Sequence, residues 1–273
     1  MFLWSTGNIV ARLGAPYIEP FTFLAIRFSC AALLLVAIAA IGRAPWPDNL
    51  ATAGHIAIAG LLAHGVYLAG VFVAIDDGVA TGTVAVIAGL QPLITGAVVG
   101  AILGEKISGL RWLGLVLGFV GVSLVVWEKF AMAGGSPFGF GAAGICLLGI
   151  TAGTVYHKKF CADFDLRSAM AIQLAASAVM CGAAAILFET RSVQWGGEVV
   201  MAIAWQVIVL SAISYAILFH LYRIGEASRA SSLFYLTPPT TAIMGYLLFG
   251  ETFQALALTG IAIAILGFAL ANR

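Results

Sequence analysis

The sequence predicts an all-α membrane protein with ten transmembrane helices in two inverted five-helix repeats. Three observations predict this fold class: the composition, a series of long apolar runs, and a motif pattern that recurs in the two halves. Of the 273 residues, 62% are hydrophobic and only 9% are charged. Soluble globular domains carry about 25% charged residues, so this composition excludes a soluble domain and indicates a surface that faces lipid.

The apolar runs predict where the chain crosses the membrane. A spanning helix needs about 20 predominantly apolar residues, and a helix satisfies its backbone polar groups within the segment, as hydrocarbon requires. The first run is shorter than a full span, so we expect helix 1 to be truncated. The predicted spans are 1–14, 18–42, 51–75, 78–103, 109–127, 138–158, 166–188, 198–222, 226–249 and 253–271.

The basic residues predict the orientation of these spans. An even number of spans places both termini on one side, which collects nine lysines and arginines against three on the other. Cytoplasmic loops carry the excess of positive charge in membrane proteins. We therefore expect a multi-pass protein of a bacterial-type inner (plasma) membrane with both termini in the cytoplasm. The nine residues are Arg43, Lys106, Arg111, Lys158, Lys159, Arg167, Arg223, Arg229 and Arg273.

The two halves of the chain share a pattern of glycine, proline and glutamate. A shift of 147 residues places Gly78 on Gly225 and Pro92 on Pro239. Because the repeating unit has five spans, the second copy enters the membrane inverted, which predicts repeats 1–130 and 131–273 within one membrane-embedded unit. Inverted repeats are typical of secondary transporters, which bind substrate between the repeats near the bilayer midplane. After a one-residue gap the matched pairs are Gly104-Glu105 with Gly250-Glu251, Gly114 with Gly260, and Gly121 with Gly267.

An ordered set of motifs resembles a known transporter family. The motifs are Trp4-x-x-Gly7-Asn8, the stretch from Pro20 to Arg27, Gln91-Pro92, and the two Gly-Glu turns. Together they resemble the EamA branch of the drug/metabolite transporter superfamily, and within it the YddG-type exporters of aromatic amino acids. The resemblance covers essentially the whole chain, apart from the short first helix. It implies two inverted five-helix repeats and export of amino acids or related metabolites.

Polar and aromatic residues deep in the spans predict the substrate site, because such groups are costly in lipid unless they pair or line a cavity. At α-helical spacing His64 and Tyr67 share one face of span 3, and Ser211 lies in the corresponding span 8. A small-molecule site combines apolar walls with a few placed polar groups. The predicted substrate-binding residues are His64, Tyr67, Gln91, Tyr215, Tyr235, Trp4, Asn8 and Ser211.

Structural roles remain open for several of these residues. His64 either lines the cavity or hydrogen-bonds to a neighbouring helix. Gln91 precedes Pro92, and a proline within a helix frees a backbone carbonyl at the same depth. We expect Pro92, Pro238 and Pro239 to mark helix breaks that permit gating.

The placement of charge predicts the substrate class. No carboxylate falls in the middle of a predicted span, where an exporter of cationic drugs driven by protons needs one. Arg27 is the one basic residue in the middle of a predicted span, and we expect it to be paired or to face the bundle interior or the cytoplasmic mouth. This pattern favours facilitated transport of a neutral or zwitterionic amino acid. We expect the bilayer as the other partner, and no cofactor, metal, nucleic acid or obligate protein partner.

Other functions remain as alternatives. A carrier of phosphorylated metabolites or nucleotide sugars would need a basic cavity, for which the spans offer Arg27. A drug exporter is the remaining transporter alternative. A membrane-embedded enzyme would need paired aspartates, a Ser–His pair or metal ligands. Asp76 and Asp77 are adjacent and so point in different directions on a helix, and the histidines lack HExxH spacing, so we expect no enzyme.

Overall fold

The computed structural model describes residues 2–91, 94–95, 98, 108–131, 135–161, 164–214, 217, 237–250, 252 and 254–271. Within these ranges the regular structure is helical, and an isolated bridge joins Ile18 and Val193. The helices are α1 (Phe2–Gly14), α2 (Pro20–Ile41), α3 (Leu50–Asp76), α4 (Thr81–Ala88), α5 (Gly109–Ala131), α6 (Pro137–Phe160), α7 (Leu166–Phe188), α8 (Gly197–Ile213), α9 (Thr237–Phe249) and α10 (Ala255–Ala271).

Four of the described helices, α2, α3, α6 and α7, are long and apolar enough to cross a bilayer. At most 44% of the residues in any of these spans are buried, and their exposed positions include Leu33, Val179 and Leu187. Apolar side chains that point away from the protein in this way are suited to contact lipid. The all-helical membrane fold is therefore confirmed, while the count of ten spans and the inverted repeats stay predictions.

Local sequence signals set where these helices begin. Ser136 precedes Pro137 of α6, and its hydroxyl accepts hydrogen bonds from the N–H groups of Phe138 and Gly139. Asn49 caps α3 and Asp165 caps α7 through side-chain oxygens in the same way. Such caps satisfy N–H groups that have no partner within the helix, and proline is tolerated at the first helical position because its missing N–H would be unpaired there.

Two helices contain π-helical segments that the sequence did not reveal. Leu61–Val66 of α3 is π-helical, and so is Trp205–Ile213 of α8. In the second segment the hydroxyls of Ser211 and Ser214 donate to carbonyls five residues back, at Gln206 and Val209. A π-helical turn accommodates more residues than an α-helical one, so the α-helical period does not carry through it.

The helices pair between the first and second halves of the chain. α2 runs antiparallel to α7, because Thr22 meets Glu189 at one end and Gly42 meets Arg167 at the other. α5 runs antiparallel to α10, with Gly121 against Gly260. Further pairs are α4 with α9, α3 with α6, and α1 with α8.

Close approach between α3, α6 and α7 depends on glycine. A Cβ atom added at Gly60 of α3 would meet the Cα and Cβ atoms of Gln173 on α7. One added at Gly153 of α6 would lie 2.5 Å from the backbone nitrogen of Ala63 on α3. Real Cβ atoms do not approach backbone atoms this closely, so these positions hold the three helices at their observed separation.

The loops join the halves at both ends of the bundle. We name the end formed by 15–19, 77–80, 135–136 and 189–196 the Asp77 face, and the end formed by 42–49 and 164–168 the Arg167 face. At the Arg167 face, Arg167 donates to the Gly42 carbonyl at 3.0 Å and Ser168 donates to the Pro45 carbonyl at 2.6 Å. Both contacts connect the start of α7 to the segment that follows α2.

At the Asp77 face, two glutamates bind across the α2–α7 pair in reciprocal fashion. The Glu189 carboxylate accepts the N–H groups of Phe21 and Thr22, at 2.6 and 2.7 Å, and so caps α2. The Glu19 carboxylate accepts the N–H groups of Thr190 and Arg191, at 3.2 and 2.7 Å. Carboxylates at a helix N-terminus also complement its dipole. This face is therefore fixed by charge-assisted hydrogen bonds.

Asp77 ties the end of α3 to the start of α6. Its Oδ2 atom accepts the Ser136 hydroxyl at 2.7 Å, the Ser136 N–H at 2.9 Å and the Gly139 N–H at 3.1 Å. These hydrogen bonds, chiefly those from Ser136, hold the pKa of Asp77 below its ordinary value. The charged carboxylate thus stabilises the folded protein.

We predict that Gly60→Ala lowers the free energy of unfolding by about 1–3 kcal/mol, as overpacking of a close-packed core does. The added methyl group must push α7 away from α3. Gly54→Ala on the same helix is the matched control, because a Cβ atom there meets nothing within 4 Å, and its stability should be equal or higher. Thermal unfolding in detergent compares the two variants, and equal losses would contradict the packing role of Gly60.

Asp77→Asn should be less stable than the wild type at neutral pH, and the two proteins should become equally stable in acid. Because the pKa of Asp77 is lower in the folded state, its contribution to the free energy of unfolding is fully present above the unfolded pKa of about 3.9. It disappears as the pH falls through the lower folded value. Thermal unfolding of both proteins from pH 7 to pH 3 measures the difference, with the exposed Asp48→Asn as control. A deficit of constant size at every pH would contradict the prediction.

Candidate functional site

A chain of polar side chains connects α3, α6 and α7 within the helices. Nε2 of His64 lies 3.1 Å from Oε1 of Gln173, and Nε2 of Gln173 lies 3.2 Å from Nδ1 of His157. Gln173 is only 3% exposed, so its amide is paired with the two rings. A buried polar group left without a partner costs about 1–3 kcal/mol. We name His64, Gln173 and His157 the amide-bridged histidines.

The local backbone explains why His64 and Gln173 meet. Gly60 lies directly against Gln173, and His64 follows within the π-helical segment of α3. One turn beyond Gln173, the Ser177 hydroxyl lies 3.1 Å from the Gly60 carbonyl and 2.8 Å from the Gln173 carbonyl. Gly60 and His64 thus both contact α7 at Gln173. The predicted face shared by His64 and Tyr67 assumed an α-helical period, which the π-helical segment interrupts.

Gln91 also forms a hydrogen bond with α6. Its amide nitrogen lies 3.0 Å from the Thr95 hydroxyl and 3.2 Å from the Thr154 hydroxyl of α6. Thr154 in turn donates to the Ile150 carbonyl at 2.7 Å. Gln91 therefore contacts α6 directly, whereas His64 is connected to α6 through Gln173 and His157.

A second polar region joins α8 to α1. The Trp205 indole donates to the Thr6 hydroxyl at 2.9 Å, and the Gln206 amide donates to the Gly7 carbonyl at 3.1 Å. Gln206 is 1% exposed. Ser211 is equally buried, and its hydroxyl donates within its own helix to the Gln206 carbonyl at 3.1 Å.

The two π-helical segments correspond in the predicted alignment of the halves. With the shift of 147 residues, Leu61–Val66 falls on 208–213, within Trp205–Ile213. The same shift places His64 on Ser211 and Tyr67 on Ser214. Departures from α-helical pairing of this kind often occur at functional sites. His64 and Ser211 therefore lie in π-helical segments that correspond in this predicted alignment.

The remaining predicted site residues fall in different categories. Tyr67 is half-buried and packs against the main apolar core. Tyr215, Tyr235 and Pro92 lie outside the described residues, as do the side chains of Trp4 and Asn8. Pro238 and Pro239 lie at the start of the described part of α9. Their role in gating stays a prediction.

Sequence reasoning missed Gln173, His157 and Gln206 as parts of the polar regions. Gln173 and Gln206 lie within helices among apolar neighbours, and a polar residue in such a place signals a specific partner, whereas His157 precedes two lysines near the end of α6. That signal was available for Gln173 in the middle of α7. The partner itself depends on which helices pack together, and a single sequence does not give this.

Arg27 is buried within α2, as its position in the sequence suggested. It is 6% exposed, and its guanidinium carbon lies 5.1 Å from the centroid of the Phe28 ring. The acidic residues within the described ranges, in contrast, lie in loops or within about one turn of a helix end: Glu19, Asp48, Asp76, Asp77, Glu128, Asp165, Glu189 and Glu198.

Comparison with known proteins identifies relatives of this chain among transporters. It is 27% identical over 290 residues to the chloroplastic WAT1-related protein of Arabidopsis thaliana, covering 99% of this chain and 67% of that protein. It is 24% identical to the uncharacterized transporter YvbV of Bacillus subtilis (strain 168), covering 100% and 88%. It is 26% identical to the uncharacterized inner membrane transporter YedA of Escherichia coli (strain K12), covering 92% and 80%.

A protein of known crystal structure shares the fold. The two chains superpose with a TM-score of 0.67 at 19% identity, over 98% of this chain and 93% of the other. The model of the EamA-like transporter family matches residues 1–127 and 139–273, which is nearly the whole sequence. Together with the apolar helices, this match establishes a membrane protein of the EamA-like transporter family.

Proposed function

We propose that the protein exports neutral amino acids, aromatic or other, and related metabolites across an inner membrane by facilitated alternating access. The observation that carries the proposal is the pair of π-helical segments at corresponding positions of α3 and α8. They hold His64 and Ser211, one in each half of a chain that belongs to a transporter family. A substrate bound between the halves would contact both segments.

Three observations support the inverted repeats that this mechanism requires. The family model matches two stretches, 1–127 and 139–273, close to the predicted boundary between residues 130 and 131. The helices α2 and α5 pair with α7 and α10, their counterparts in the second half, and both pairs are antiparallel. The pair α3–α6 has its counterpart in α8–α1.

The chemistry of the site favours a substrate without net charge. Its described polar groups are imidazole, amide and hydroxyl, from His64, Gln91 and Ser211, and a phenol from Tyr67. We propose that Tyr215, Tyr235, Trp4 and Asn8 complete the substrate site. Such groups bind amino and carboxyl termini by hydrogen bonds, and aromatic rings suit large apolar side chains.

The charges at the ends of the bundle support the proposed orientation. The described residues at and around the Arg167 face include Arg43, Lys158, Lys159 and Arg167. Excess positive charge marks the cytoplasmic side, and we propose that this face and both termini are cytoplasmic. Inner-membrane localisation is also the description given to the relative YedA.

The proposal predicts uptake of radiolabelled neutral amino acids into proteoliposomes, at a rate that an imposed pH gradient leaves unchanged. His64→Ala and Gln91→Ala should each reduce this rate about tenfold, the factor that corresponds to about 1.4 kcal/mol of lost substrate binding. His55→Ala is the matched control, because His55 pairs with Tyr156 near the Arg167 face at 2.8 Å, away from the proposed site. Its uptake rate should equal that of the wild type.

Two outcomes would contradict the proposal. The first is that wild-type protein, shown to be folded by its gel-filtration profile, takes up no amino acid; this result would exclude the substrate class. Uptake at the wild-type rate by both His64→Ala and Gln91→Ala would place the substrate elsewhere.

The contacts at both faces predict that α2 and α7 move as one body during transport. A disulfide between Ile18→Cys and Val193→Cys, in a Cys30→Ser background, should therefore leave the uptake rate unchanged. These two positions form a backbone bridge between the halves at the Asp77 face. Uptake that stops on oxidation and returns on reduction would show instead that this contact opens in each cycle.

A further inference from the structure

One glutamine amide bridges two imidazole rings that come from different helices. In the observed arrangement Oε1 of Gln173 faces Nε2 of His64, and its NH₂ group faces Nδ1 of His157. An amide oxygen only accepts hydrogen bonds, and an amide NH₂ group only donates them. His64 must therefore carry its hydrogen on Nε2, and His157 must present a lone pair on Nδ1.

A proton that binds His157 is incompatible with this arrangement. Both nitrogens of a protonated imidazole are donors, so Nδ1 of His157 could no longer accept from the Gln173 NH₂ group. Rotation of the amide by half a turn restores a hydrogen bond, because its oxygen then faces His157. The NH₂ group then faces Nε2 of His64, which has to become an acceptor and transfer its hydrogen to Nδ1.

The surroundings disfavour a second added charge. Positive groups lie on neighbouring elements, including the buried guanidinium of Arg27 on α2 and the two lysines that follow His157 on α6. Repulsion between like charges disfavours protonation of both imidazoles together. The titratable and charged groups on the elements packed around the bridge are Arg27 on α2, His55 on α3, Tyr156, Lys158 and Lys159 on α6, Cys181 on α7, and Asp165 with Arg167 at the start of α7.

We propose that Gln173 is a positioning residue that couples protonation of His157 to the tautomer of His64. One proton binds in total: His157 gains it, and His64 keeps one hydrogen but moves it from Nε2 to Nδ1. His64 then offers a donor to its surroundings in one state and an acceptor in the other.

This coupling would regulate the proposed transport site. A substrate group that accepts a hydrogen bond from a nitrogen of His64 in one state would meet, in the other state, a nitrogen that can only accept. That consequence rests on the proposed function, whereas the tautomer change is a property of the protein without substrate. The two can therefore fail independently.

Nitrogen NMR of the full chain in detergent, labelled with ¹⁵N-histidine, tests the proposal. Protonated and unprotonated ring nitrogens differ in chemical shift, and the four histidines can be assigned by single substitutions. At high pH we expect hydrogen on Nε2 of His64 and a bare Nδ1 on His157. As the pH falls, we expect His64 to change tautomer in the same titration step in which His157 gains its proton.

Two variants should abolish the coupling for different reasons. Gln173→Met removes both hydrogen-bonding groups at similar size. Gln173→Glu offers acceptors at both ends while its carboxylate is ionised, and so keeps hydrogen on Nε2 of His64 in that pH range. The matched control is Gln206→Met, which removes the buried amide of α8 and should leave the coupling intact. The Glu variant keeps the test available if the Met variant does not fold.

Three results would overturn the proposal. The first is a His64 tautomer that stays the same while His157 titrates in the wild type. The second is a tautomer change that persists in Gln173→Met or Gln173→Glu. The third is loss of the change in Gln206→Met, which would show a general effect of removing a buried amide. Loss of transport in a variant whose NMR behaviour is that of the wild type would bear on the proposed function alone.

Discussion

The structure depends on the requirement that polar groups in a membrane find partners within the protein. Helices satisfy the backbone, and the side chains that interrupt the apolar surface pair with one another across helix boundaries. Gln173 reaches two histidines and Gln206 reaches the backbone of α1. These contacts need helices that approach closely, which the glycines of α3 and α6 allow. Small residues and polar partners thus act together to set which helices are neighbours.

Much of the fold could be predicted because its signals are long and local. The four described helices of full length agree with the predicted spans to within a few residues, since apolar runs of more than 20 residues are unambiguous. Capping residues such as Ser136 and Asn49 mark the starts of α6 and α3. The π-helical segments have no comparable signal, because their sequences remain apolar and helix-compatible throughout.

The candidate site could be predicted in part, because some of its residues also carry a local sequence signal. His64 and Gln91 are polar residues in apolar spans, so the sequence indicates that each has a partner or a function. The identity of the partner depends on tertiary packing: His64 binds α7, and Gln91 binds α6. Gln173 and His157 became visible as site residues only when α3, α6 and α7 were seen together. The contacts at the ends of the bundle also depend on tertiary packing, since no local sequence pattern indicates that Glu19 pairs with Thr190.

The π-helical segments give these spans a way to change without breaking. A π-helical turn holds extra backbone that can move along a helix when hydrogen bonds exchange one after another, each replaced as it is lost. The residues that it passes turn about the helix axis by roughly 100°, the angle between neighbours in an α-helix. A span could thus rotate one stretch of side chains toward a different neighbour while its two ends stay anchored. Asp77 fixes one end of α3. Movement of the π-helical turn along this helix would reorient His64 without tilting the helix.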